Sequence, residues 1–247
     1  MTEPTAAYLS RAKNVSLLAL AGLVLVPGGT FLGILPPFVG FQLFMLAILV
    51  AIGTAAYVGI RPRVGRFKNQ TRPSFRVAGI PLLIGVVALS IPLLQRLSSS
   101  STPIINDITT DLAEPPAFRA ALKLDANQGR DMSYPPDFAE LQRGAYSDLK
   151  SLQLGASPAT VFSEVEKLCI ELGWEITGVD REELRIEGTE TTRIFRFVDD
   201  VVIRVRPLRD GTKIDVRSKS RAGKGDMGAN AARIRRFFDA MSRRLPK

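Results

Sequence analysis

Histidine does not occur in the 247 residues, and cysteine occurs once, as Cys169. Ser-His-Asp and Cys-His catalysis are therefore excluded, as are zinc sites built from histidine or several cysteines. An intramolecular disulfide is impossible, so cysteine says nothing about redox compartment. Only carboxylate-based metal sites remain open, and neither a resident metal nor a cofactor is expected. Acid is scarce at the N-terminal end: residues 1–96 hold nine Lys/Arg against Glu3 alone. Between Lys13 and Arg61 there is no charge of either sign.

That uncharged stretch of 47 residues is too long for one helical crossing, which needs about 20 residues. Two crossings fit, near 15–35 and 38–60, joined at Pro36-Pro37. A further uncharged run, Val77–Gln95, predicts a third across 77–95. Pro27-Gly28-Gly29 kinks the first crossing or shifts its turn earlier. A cleaved signal peptide is the rival for the first segment, but no small-x-small cleavage site follows it. Arg11 and Lys13 flank the first crossing, and the 61–76 loop carries six basic residues without an acid. The positive-inside rule makes that side cytoplasmic and sends everything after Arg96 outside, into the periplasm of a bacterium. The crossings hold no ionisable residue, which favours an anchor over an ion or proton path. A bacterial inner-membrane, multi-pass protein with a periplasmic domain is the expected localisation.

The sequence pI near 10 does not indicate a nucleic-acid binder, because residues 97–247 are almost balanced, with 24 basic against 23 acidic. Within them the charge is split. Residues 97–192 hold 8 basic and 17 acidic residues, and 193–247 hold 16 and 6. Residues 97–102 read as a polar linker and 103–247 as a separate domain.

Periodicity outlines that domain. Val201, Ile203 and Val205 alternate with Val202, Arg204 and Arg206, and Ile214 and Val216 alternate with Lys213, Asp215 and Arg217, with Asp210-Gly211 as the turn signal. Pairing Val205 with Ile214 sets Ile203 opposite Val216, Arg204 opposite Asp215 and Asp200 opposite Lys219, and a one-residue slip would bury the charges. A helix follows, its face written by Met227, Ala231, Ile234, Phe238, Met241 and Leu245, with Asp226 as N-cap. Upstream, Ser157-Pro158 starts a helix with a Val161, Phe162, Val165, Leu168, Cys169, Leu172 stripe that Gly173 ends. Cys169 on that stripe reads as a small core hydrophobe. A second hairpin, 174–190, turns at Asp180–Glu183. Residues 103–150 read as extended segments laid over the domain, with a short helix near 136–144 and a strand near 149–154. The fold class is α+β: three transmembrane helices, then an antiparallel β-sheet domain with two helices packed on one face.

Two groups of residues also resemble a family. Asn106-Asp-Ile-Thr-Thr-Asp111 with Pro115-Pro116, Tyr134-Pro135 and Asp199-Asp200-Val201 form the first. The run from Ile214-Asp215-Val216-Arg217-Ser218 through Ser220-Arg221, Gly223, Asp226, Gly228-Ala-Asn230 to Arg233-Ile234-Arg235 forms the second. Over residues 104–240 the chain resembles the bacterial domain-of-unknown-function 1499 family. The resemblance implies a domain boundary and membrane-attached relatives, and no activity.

Two constellations carry candidate chemistry. Arg217, Arg221 and Lys224, with the backbone at Gly225 and Gly228 and with Asn230, surround a glycine-rich turn into a helix N-terminus, an arrangement that suits an anion. The alternative is a strand-to-helix connection whose arginines pair with Asp215 and Asp226. Asp107, Asp111, Asp199 and Asp200 form an acidic cluster if the chain brings the two pairs together, and cap turns or pair with bases otherwise. The leading expectation is a non-catalytic envelope module that binds a partner protein or an anionic lipid or polymer. The alternatives are a hydrolase or transferase on such a substrate, and a structural subunit of a membrane complex. Small residues at Gly53, Ala56 and Gly59 offer the last a weak seam.

Overall fold

The structure is a computed structural model that describes residues 3–60, 103–245 and scattered positions between 79 and 93. The expected third crossing falls mostly outside the described residues, as does the basic loop 61–76. Among the described residues two helices, not three, are long and apolar enough to cross a membrane, within Ser10–Phe31 and Pro37–Val58. The chain divides into two compact units, one holding these helices with residues 193–196, the other holding 103–192 and 197–245.

In the first unit, helix α1 (Glu3–Phe31) runs through Pro27, and α2 spans Pro37–Ile60. The turn therefore falls at residues 32–36, earlier than the Pro36-Pro37 junction suggests. Gly33 sits at φ 76°, and Gly28 and Gly29 carbonyls accept from Leu32, Ile34 and Leu35. Ala19 and Leu23 pack on Ala47, Ile48 and Ala51. A Cβ on Gly22 would stand 3.0 Å from Ala47 Cβ, so small residues set this close approach. This close approach lies within the helix pair, while Gly53 and Ala56 are exposed.

The second unit is an antiparallel sheet clad on both faces. Its strands are β1 (Asp107–Thr109), β2 (Leu152–Leu154), β3 (Glu175–Asp180), β4 (Arg185–Thr191), β5 (Val198–Leu208) and β6 (Gly211–Ser220). The order is β1-β6-β5-β4-β3, with β2 also on β6, end to end with β1. The β5–β6 register is the one the charge and apolar alternation predicts: Val205 faces Ile214, Ile203 Val216, Arg204 Asp215 and Asp200 Lys219. Its helices are α3 (Phe138–Ala145), α4 (Pro158–Glu171) and α5 (Ala229–Arg244). Ser157 caps α4 by accepting from the Thr160 N–H, and Gly173 at φ 76° ends it.

α4 and α5 cover one face of the sheet. Val161, Val165 and Cys169 meet Ile234, Phe237 and Met241 over Ile186, Val201, Ile203, Val205, Ile214 and Val216. Trp174 stacks on Phe237 at 5.6 Å. The α5 stripe differs from expectation at two places. Phe237 is fully buried where Phe238 was expected, and Met227 is exposed, at φ 52° ahead of the helix. Gly228, in the left-handed region, is the N-cap position rather than Asp226. The opposite face carries no helix stripe. There Val202 joins Phe118, Ala121 and Met132 in a small second core beneath the irregular 110–136 segment.

Candidate functional site

Alternation assigns the charges of β5 and β6 to faces. Asp200, Arg204, Arg206, Lys213, Asp215, Arg217 and Lys219 lie opposite the helices, where the irregular segment crosses. Arg217 is the centre of this face and is fully buried. Its Nε and Nη2 donate to the two Asp107 oxygens at 2.9 and 2.7 Å. The same guanidinium donates to the carbonyls of Pro116 at 3.2 Å and Met132 at 2.8 Å. Its carbon lies 4.8 Å from the Phe118 ring centre and 5.5 Å from that of Tyr134, within cation–π range. Lys219 adds a second cation to Asp107 at 2.9 Å.

Around this centre the remaining charges pair in turn. Asp111 receives Arg206 at 2.7 Å, Lys213 at 3.2 Å and Arg204 at 3.3 Å. Arg204 and Arg206 also reach Asp215. Asp200 takes both arms of Arg221 and a hydrogen bond from Asn127. Burial pushes the Asp111 carboxyl up, but the Glu114 backbone N–H with Lys213 and Arg206 outweighs it and holds the group below the usual carboxylate range. Burial pushes the Tyr134 phenol up, and the Asp107 charge adds to that. Gln142 clamps β1, accepting from the Thr109 N–H at 2.9 Å and donating to the Thr109 carbonyl. Tyr134 donates to the same Gln142 oxygen at 3.1 Å.

Beside Arg217 opens a cleft of about 720 Å³, lined mainly by Leu112, Pro115, Phe118, Leu122, Met132 and Tyr134, with Arg130, Asp131 and Arg217 as its charged residues. It is the feature that sequence reasoning missed. The proline pairs and Tyr134 were visible as motifs, but nothing in them showed that they wall a cavity.

The six residues expected at an anion site are not gathered into one. Arg217 is committed to Asp107 and Arg221 to Asp200. Asn230 lies buried on the helix side, bonded to Ser218, Ser220 and the Asn106 carbonyl. Asp226 fills the α5 N-terminus by accepting from the Gly228 N–H at 2.9 Å and the Asn230 N–H at 2.7 Å. The free donors that the anion reading needs at Gly228 and Asn230 are therefore taken. Lys224 alone is exposed, near the Gly225 backbone. The arginines pair with aspartates, as the alternative reading held, but with Asp107 and Asp200 rather than Asp215 and Asp226.

The acidic set is likewise divided. Asp199 and Asp200 are sequence neighbours on a strand and so point to opposite faces. Asp199 meets Arg233 of α5, while Asp200 faces the irregular segment. Asp107 and Asp111 each close a separate ion-pair group. Among the described residues no group of three or more potential ligands is placed to hold a metal ion.

The Asp107–Asp111 and proline motifs thus meet the β6 motif, across more than a hundred residues, around Arg217. No curated protein matches the chain. The family described as "Protein of unknown function (DUF1499)" matches residues 107–241, more than half of the chain and every residue that pairs with Arg217, and the chain belongs to that family.

Proposed function

We propose that the protein is a membrane-anchored, extracytoplasmic module of the bacterial envelope that binds without catalysing, and that its cleft holds the apolar part of an anionic envelope lipid. The cleft carries the reading. About 720 Å³ lies within the ~300–1,000 Å³ range of small-ligand sites, which are mostly apolar with a few convergent polar groups. The membrane part of the reading is supported by the two apolar helices, and the orientation by the basic 61–76 loop.

Reactive groups are tied down elsewhere in the domain. Cys169 is buried, and burial pushes its thiol up to about 12, so thiolate is scarce at neutral pH. Each candidate carboxylate is engaged by a base, which disfavours the hydrolase and transferase reading.

A photo-cross-linking residue in place of Leu122, exposed on the cleft wall, tests the proposal in native membranes. The expected result is an adduct of lipid mass that Ala139→Trp, filling the cleft, suppresses. The same cross-linker at Arg209, exposed in the β5–β6 turn, should give none. A protein adduct at Leu122, or equal lipid adducts at both positions, overturns it.

A further inference from the structure

The sheet domain has three β-hairpins, and their tips differ in chemistry. The β3–β4 turn is Arg181-Glu182-Glu183-Leu184, and the β5–β6 turn is Arg209-Asp210. Both mix charge of two signs. The β4–β5 tip is Arg193-Ile194-Phe195-Arg196: two cations, no acid and an apolar pair between them. Ile194 is 56% exposed, Arg193 and Arg196 are exposed, and Phe195 is half-buried.

The tip is closed at its base. The Thr192 N–H donates to the Phe197 carbonyl at 2.8 Å, and the Phe197 N–H returns to Thr192 Oγ1 at 2.8 Å. The four residues beyond this base belong to the compact unit of the apolar helices, and the Phe195 ring lies 5.4 Å from those of Phe41 and Phe44 in α2. An isoleucine left in water on such a tip gains nothing for the fold. Exposed apolar residues flanked by Arg are, however, the composition that lies at a bilayer interface, with the apolar side chains at the headgroup–acyl boundary and the cations among phosphates.

We propose that the β4–β5 tip is an interfacial membrane contact, with Ile194 entering the headgroup–acyl boundary and Arg193 and Arg196 pairing with lipid phosphates. The occupant is the bilayer that holds the chain's own apolar helices, so the inference rests on the membrane-anchor reading. It is independent of the cleft. Charge complementarity selects this hairpin over the other two, whose glutamates and aspartate would be repelled by the same phosphates.

The full chain, reconstituted in vesicles of phosphatidylcholine and phosphatidylglycerol, tests it by spin-label accessibility. Nitroxides are placed singly at Ile194→Cys, at Leu49→Cys in α2 and at Arg209→Cys in the β5–β6 turn. Cys169 is buried and stays unlabelled. Collision with oxygen, soluble in the bilayer, is compared with collision with a water-soluble nickel chelate. The expected oxygen-to-nickel ratio is highest at Leu49, several-fold above the Arg209 value at Ile194, and lowest at Arg209. Arg193→Glu with Arg196→Glu should lower the Ile194 ratio and leave that of Leu49 unchanged. A shielded Leu49 with Ile194 as nickel-accessible as Arg209 overturns the tip contact and spares the anchor. A nickel-accessible Leu49 overturns the anchor itself, and the tip contact with it. An Ile194 ratio untouched by the charge reversal removes the arginines from the proposal.

Discussion

On β5, Val201, Ile203 and Val205 face α4 and α5, while Asp200, Val202, Arg204 and Arg206, alternating with them, face the irregular segment. The two faces share strands and hydrogen bonds but are held by different forces. The helix face excludes water with close-packed apolar side chains. The opposite face has only a small apolar patch at Val202 and closes with charge pairs centred on Arg217. Apolar contact is non-directional and tolerant of exchange at constant volume. A buried ion pair is intolerant of losing one partner, because the other is left desolvated and uncompensated. The ion-paired face should therefore fail through single changes and recover through double ones.

The largest effect is expected there. Asp107→Ala strands two buried cations, Arg217 and Lys219, and should cost about 3–5 kcal/mol. Arg221→Ala, which leaves the buried Asp200 only the longer Arg130 pair at 3.7 Å, is the milder form of the same change. Replacing Asp107 with Leu together with Arg217→Met should recover part of the first loss. The measurement is thermal unfolding of the purified chain in detergent, followed through Trp174. A double variant no better than Asp107→Ala would show that geometry around Pro116 and Met132, rather than charge, is what Arg217 supplies.

Phe237→Ala breaks the helix face instead. It removes a fully buried ring stacked on Trp174, and such truncations cost about 3–5 kcal/mol. Phe237→Leu, keeping most of the apolar volume, should lose considerably less. Phe238→Ala should also lose less, since Phe238 is only partly buried. Equal losses at 237 and 238 would contradict the assigned face of α5.

These pairs also explain what could be read in advance. The β5–β6 register was legible because apolar and charged positions alternate together, so two signals fix one answer. The α5 face was legible to within one residue. Adjacent phenylalanines at 237 and 238 both fit a helical period, and only packing against Trp174 separates them. The split of Asp199 from Asp200 was available too, since Asp199 shares a face with Val201. The partners of Arg217 were not legible. Asp107 lies 110 positions away, and Pro116 and Met132 contribute carbonyls, which no side-chain pattern announces. The cleft was hidden for the same reason, since its walls come from a segment without period.

Acid and base titration should sharpen the contrast. Asp111 sits on the ion-paired face with its carboxyl held low, and an Asp in water titrates near ~3.9. Its contribution is present above that unfolded value and is lost as pH falls through the lower folded value. Asp226, at the start of α5, behaves oppositely. Burial pushes its carboxyl up, against the hydrogen bonds from Asn230 and Gly228. Its contribution is present below the unfolded value and is lost as pH rises through the folded one. Asp111→Asn should therefore flatten the acid side of the stability profile. Asp226→Asn should remove a decline that begins above pH ~4. Urea midpoints measured across that range decide it, and an unchanged profile in both variants would reject both assignments.

The smallest effect is expected at Lys224, which the sequence placed beside Arg217 and Arg221 in one anion site. The structure gives the three residues different work. Arg217 and Arg221 are spent on Asp107 and Asp200, whereas Lys224 is exposed on the loop before α5, whose N-terminal donors already serve Asp226. An exposed substitution away from packed or paired groups changes stability by about 0.5 kcal/mol or less. Lys224→Ala should therefore leave the melting temperature nearly where it was, while Arg221→Ala lowers it. If the three residues instead formed one anion site, Lys224→Ala would weaken binding of the full chain to inorganic phosphate. A charge held at one exposed lysine has no second donor to fix an anion, so no saturable phosphate binding is expected in the unaltered protein. Saturable binding lost in Lys224→Ala would restore the site and require the Asp200–Arg221 pair to open.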